Sequence, residues 1–169
     1  MKEFRVPNFN KKTGYLKPGI YCMTIDELLN HEVLGGTAER KKLIESLKMA
    51  CEFYWSYGIT EIYANGSFAT MKPIPNDIDG YLYVNETDNG LLQIINSNSI
   101  WGKFYGFHSA KDKYQMWYEY KVEFYLELKG QEFFTDFFTH SRDGIERGII
   151  KVIQGGQLWL NPSNKKIEL

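Results

Sequence analysis

Asn65-Gly66-Ser67-Phe68-Ala69-Thr70, followed by Pro75-Asn76-Asp77-Ile78-Asp79-Gly80-Tyr81-Leu82-Tyr83-Val84, decides how the rest of the chain is read. The stretch has the form of a strand, a tight glycine turn, the start of a short helix and a second strand with two carboxylates. Glycine lets the backbone come close to a ligand. Amides at a helix start favour an anion. Side chains alternate along a strand, so Asp77, Asp79, Tyr81 and Tyr83 share one face while Ile78, Leu82 and Val84 turn to the core. A phosphate cradle beside a pair of aspartates suits phosphoryl or nucleotidyl transfer with a divalent metal.

On the N-terminal side, Thr37 caps the longest expected helix, 38–57, in which Leu43, Leu47, Ala50, Cys51 and Tyr54 form one apolar stripe. Glu39, Arg40, Lys41, Lys42, Glu45 and Lys48 are read as its solvated face, and Gly58 ends it. Ile59 to Ala64 is the strand that feeds the glycine turn. Further back, Thr24 and Glu27 have capping-box spacing for a short helix ending near Asn30. Residues 1–36 as a whole read as a wrapping arm and short helix, whose aromatics argue against disorder.

On the C-terminal side, a short helix is expected over 91–96 and a long loop over 96–113. Residues 114–128 alternate strictly and read as one strand, with Glu119, Lys121, Glu123, Tyr125 and Glu127 on its polar face. Phe133, Phe134, Phe137 and Phe138 have helical spacing and are core candidates. Ser141 to Gly144 is a turn, and 148–153 a last strand. Arg142, Asp143, Arg147 and Lys151 are read as a turn-stabilising cluster, with contact to a triphosphate or an acidic partner as the alternative. Asn65 and Asn76 are read as turn residues.

The 169 residues suit a single domain, with a core over 37–128 and a C-terminal helix and strand over 129–169. With 43% hydrophobic and 16% aromatic residues the chain can bury a real core, and a net charge of −1 gives no general basic surface for nucleic acid. Cys22 and Cys51 make neither a disulfide framework nor a zinc site, and no Ser-His-Asp arrangement stands out. The start, Met1-Lys2-Glu3-Phe4-Arg5, lacks the apolar run of a signal peptide, and no stretch approaches the roughly 20 apolar residues of a membrane span. The expected setting is cytoplasmic, with no membrane partner.

Gly66-Ser67, followed after nine residues by Asp77-Ile78-Asp79, resembles the signature of the polymerase-beta-like nucleotidyltransferase superfamily. The chain is similar to its small stand-alone bacterial and phage members. The resemblance implies a mixed α/β (α+β) fold, a small mixed sheet flanked by helices. It implies transfer of a nucleoside monophosphate from an NTP to an acceptor, with a protein or an RNA as acceptor and a toxin–antitoxin or defence setting. A partner protein or a homo-oligomer is also part of that expectation. Gly66 and Ser67 become the phosphate-binding pair. Asp77 and Asp79 become ligands of Mg2+, with Mn2+ as a substitute. Glu123 becomes the third catalytic and metal-binding carboxylate, with Glu119 and Glu127 as alternatives. The Arg-Gly common after the glycine turn is replaced here by Thr70-Met71-Lys72, and Lys72 takes the phosphate contact. The alternative is a catalytically inactive nucleotide- or partner-binding module of the same fold.

Overall fold

The structure is a computed structural model and describes residues 1–104 and 113–155. The described chain folds as α+β, with a six-stranded mixed sheet flanked by helices. The strands are β1 (Glu3–Phe4), β2 (Ile20–Met23), β3 (Ile62–Asn65), β4 (Ile78–Val84), β5 (Val122–Leu128) and β6 (Ile149–Val152). Their order across the sheet is β1-β2-β6-β3-β4-β5. The pairs β1–β2, β2–β6 and β4–β5 are parallel, whereas β3 runs antiparallel to both β6 and β4.

Five α-helices accompany the sheet among the described residues: α1 (Ile25–Asn30), α2 (Ala38–Ser56), α3 (Asn89–Asn96), α4 (Gln115–Tyr120) and α5 (Phe133–Thr139). Thr24 and Glu27 make the expected capping box at α1. Thr37 Oγ1 accepts the Arg40 amide at the start of α2, and Gly58 leaves that helix at φ +81°. The α2 stripe of Leu43, Leu47, Ala50, Cys51 and Tyr54 is buried. It packs in one core with Ile62, Ala64, Ile78, Leu82, Val122, Phe124, Ile150 and Val152 from one face of the sheet. Period-two alternation puts every one of those sheet residues on that face. On the opposite face Tyr63, Tyr81 and Ile149 form a smaller cluster with Phe138 of α5, which covers them.

Four local expectations are corrected. The N-terminal arm is not merely irregular, because it supplies β1 and β2 to the sheet. The strand expected over 114–128 is a helix first. Met116 and Tyr120, four residues apart, pack into the main core as one helical face, and Lys121 at φ +58° turns the chain into β5. Of the four phenylalanines, Phe138 is buried while Phe133 and Phe137 are 70% and 62% exposed. A helix lying on a sheet can turn only one of two neighbouring stripes inward.

The fourth correction concerns Arg40, which belongs to no solvated face: it is 1% exposed. Its guanidinium donates to the carbonyls of Phe68 (2.9 Å), Thr70 (2.7 Å), Lys72 and, at 3.5 Å, Leu34. Burial lowers it to about 10, which keeps it charged at neutral pH. One buried cation thus gathers the carbonyls of the segment between the glycine turn and the aspartates. Of the expected loop over 96–113, residues 105–112 lie outside the described residues, His108 among them. The tail 156–169 with Trp159 does so too.

Candidate active site

Register places the polar groups before any side chain is considered. Asn65 pairs with Asp79 across β3–β4, and Asp79 pairs with Glu123 across β4–β5. The three residues form a row on the sheet face opposite α2. One step along, Tyr63, Tyr81 and Tyr125 form the next row. That aromatic row lies under α5, with Tyr81 stacked on Phe138 and Tyr125 on Phe134. An open cleft of about 930 Å³ begins at the aspartates, with Gly66, Ser67, Asp77 and Asp79 on one wall and His140, Ser141, Arg142 and Arg147 on the other. Lys72, Lys113 and Tyr125 also line it. The residues singled out from sequence at 66, 67, 72, 77 and 79 therefore share one cavity, and Glu123 is buried beside Asp79 on the neighbouring strand.

The glycine turn is pressed against a carboxylate. Gly66 has φ +68°, and a Cβ there would lie 2.6 Å from Asp79 Oδ2. Residues 66–69 form a turn and no helix follows, so the expected helix start is not what the structure has. Arg40 and the N-terminal arm hold this turn from behind: Thr70 bridges to Tyr15, and the Met71 amide donates to Gly14 O at 2.8 Å. Two costs should meet at one position. Gly66→Ala is expected to lose about 1–2 kcal/mol from left-handed backbone alone, plus the displacement of Asp79. Gly58→Ala, also at positive φ but with nothing within 4 Å of the added carbon, isolates the first cost. Urea unfolding of the two variants measures the difference, and equal losses would mean that the carboxylate contact carries no energy.

Asp77 lies just before β4, and its Oδ2 accepts Trp117 Nε1 at 2.8 Å. Asp79 Oδ1 faces Lys113 Nζ at 3.4 Å. Burial pushes the Asp79 carboxyl up to about 6; Asp77 adds to this and Lys113 opposes it. Glu123 is fully buried. Its Oε1 accepts the Tyr114 amide at 2.8 Å, and its Oε2 takes both Lys113 Nζ (2.5 Å) and the Tyr125 hydroxyl (2.8 Å). Burial depresses Lys113, but the hydrogen bond it donates to Glu123 and the charge of Asp79 outweigh it and leave the ammonium raised. Burial and Glu123 together raise the Tyr125 phenol.

The two alternative carboxylates have other partners. Glu119 stands on α4, exposed, and accepts Gln115 Nε2 at 2.8 Å. Glu127 is buried beneath α5 and accepts the Thr135 amide in that helix's first turn at 2.8 Å. Asn65 is no turn residue. It is the buried end of β3, donating to Phe138 O at 2.7 Å, with its Oδ1 unpartnered among the described residues. Arg147 donates through Nε to the same Phe138 O at 3.0 Å, which is the stabilising role expected of it. Lys113 and Trp117 are the site residues that sequence reasoning missed.

Oxygen donors suit Mg2+. Asp77 and Asp79 each spend one oxygen on a protein donor, and the other has none among the described residues. Those two carboxylates fit a hard divalent ion. Among the described residues no three His, Cys, Asp or Glu side chains form a cage for one. The oxygens of Glu123 meet Lys113, Tyr114 and Tyr125 instead.

A family model for a family of unknown function, DUF6932, matches residues 7–153, and the chain belongs to that family. No curated protein and no solved structure matches it. Among the described residues no helix is long and apolar enough to cross a membrane.

Proposed function

We propose that this chain is a cytoplasmic, Mg2+-dependent nucleotidyltransferase of the polymerase-beta-like superfamily. It transfers a nucleoside monophosphate from an NTP to a hydroxyl or phosphate oxygen of a protein or RNA. The observation that carries the reading is the close contact of the Gly66-Ser67 turn with Asp79 at the mouth of a cleft that also holds Asp77. Phosphate and its counter-ion have to meet at one place in this chemistry, and the turn and the aspartate meet there.

Asp77 and Asp79 would hold Mg2+, or Mn2+ in its place. Bound there, the ion would supply Lewis-acid stabilisation of charge on the phosphates. Everything else falls to the chain. Ser67 and the turn backbone face the phosphates. Lys72, Arg142 and Arg147 line the cleft as positive charges for the polyphosphate. Trp117 fixes Asp77, and Lys113 fixes Asp79. In the overall reaction an acceptor oxygen bonds to the α-phosphorus, the bond to the β-bridging oxygen breaks, and pyrophosphate and a proton leave.

A second reading, an inactive nucleotide- or partner-binding module, is favoured by one observation: Lys113 already pairs with two of the carboxylates. One assay separates the two. Each α-labelled NTP is incubated with the protein, Mg2+, and RNA or protein acceptors, and pyrophosphate release and label transfer are followed. The transferase reading expects Mg2+-dependent release that Asp77→Asn and Asp79→Asn abolish. Binding without release supports the module. NTP and metal binding untouched by both substitutions sinks the site altogether.

A further inference from the structure

Asp77, Asp79 and Glu123 are the three carboxylates singled out as ligands for divalent ions. The geometry assigns one of them elsewhere. Asp79 and Glu123 sit at the same register level of β4 and β5. Lys113 Nζ lies between them, 3.4 Å from Asp79 Oδ1 and 2.5 Å from Glu123 Oε2. The Tyr114 amide and the Tyr125 hydroxyl complete three donors around Glu123. A fully buried carboxylate so surrounded is the anchor of an ammonium. Lys113 itself is 31% exposed at the side chain and lines the cleft. Four residues on, Trp117 reaches Asp77 through Nε1, and its ring centroid lies 5.7 Å from Lys113 Nζ. The segment 113–117 therefore touches both aspartates. In formal charges, three carboxylates and one ammonium leave two negative charges, which one divalent ion balances.

We infer that this site holds a single divalent ion, through Asp77 and Asp79, and that Lys113 is a fixed cation standing in for a second ion, with Glu123 as its positioning residue. The inference rests on the nucleotidyltransferase reading. A tethered ammonium beside Asp79 supplies preorganised positive charge to a bound polyphosphate.

The test counts Mn2+ bound per chain, by electron paramagnetic resonance, with a non-hydrolysable NTP analogue present. Wild type and Lys113→Arg are expected to bind one ion, and Lys113→Met two, because Glu123 then lacks its cation. Two ions on wild type overturn the inference and leave the nucleotidyltransferase reading standing. No ion on any of these proteins overturns both. Should Lys113→Met not fold, the counts for wild type and Lys113→Arg still decide. Glu123 is tested through nucleotide affinity measured without divalent ions, so that no second ion can replace the ammonium. Glu123→Gln and Lys113→Met are each expected to weaken the analogue about tenfold, and the double variant no further, as for residues that act as a unit. Additive losses would overturn the positioning role.

Discussion

Arg40→Met is expected to lower stability by about 3–5 kcal/mol, a large part of what a domain of this size has. Methionine matches the arginine side chain only as far as Nε, so it keeps the apolar stem and loses the guanidinium that lies 5.5 Å from the Phe68 ring centroid. What disappears is the set of donors to the carbonyls of Leu34, Phe68, Thr70 and Lys72. Each buried acceptor left unpaired costs roughly 1–3 kcal/mol, and partial relaxation of the loop recovers some of it. Arg40→Lys keeps the charge but replaces a planar fork by one compact donor, and is expected to recover less than half of the loss. Thermal unfolding would show the midpoint falling by about 10 °C for the methionine variant. A shift below about 2 °C would mean that the 68–72 segment is held by other contacts.

Asp79→Asn is expected to do two opposite things. Turnover should fall by more than about a thousandfold, the scale of losing several kcal/mol of charge stabilisation at the phosphates. Stability without divalent ions should rise. The Asp79 carboxyl lies near 6 in the fold against 3.8 ordinarily, so the folded state binds its proton more tightly than the unfolded chain does. The stability from that proton is fully present below about pH 4 and is lost as pH rises through about 6. Above that window the ionised carboxylate costs about 2–3 kcal/mol. Asparagine removes the cost, so the variant should exceed wild type by about 1–3 kcal/mol at pH 8 and match it near pH 4. Mg2+ should stabilise wild type and leave the variant unmoved. Denaturation at the two pH values, with and without Mg2+, checks each part; a variant less stable than wild type at pH 8 would contradict the electrostatics.

Much of the fold was legible where one rule governed a whole element. The α2 stripe, its threonine cap and the β4 alternation are repetitive signals that packing reinforces. Arg40 is the instructive failure: it lies three and four residues before Leu43 and Ile44, so periodicity placed it on the buried face while its charge argued for solvent. Periodicity won because four carbonyls replace the lost water. In 114–128 the alternation of Tyr118, Tyr120 and Val122 continued across a helix–strand junction by coincidence. Lys121 makes that junction in a conformation usually left to glycine, so nothing in its identity announced the break. The candidate site was legible for Gly66, Ser67, Asp77 and Asp79 because they are close in sequence. Lys113 belongs to no repeating pattern, and only the third dimension brings it to Asp79.

The position of β6 has a consequence for the order in which the molecule can assemble. β6 lies between β2 and β3 and, among the described residues, is the only strand that joins the N-terminal pair to the rest. β3, β4 and β5 can associate with α2 once residue 128 has left the ribosome, carrying the row that contains Asp79 and Glu123. Among the described residues, β1 and β2 have no further strand to pair with until residues 149–152 arrive, about 130 positions after β2 itself was made. Such long-range closure is slow. The half that carries the candidate site is therefore expected to take shape first, with the arm that supports its glycine turn locking on once β6 is made.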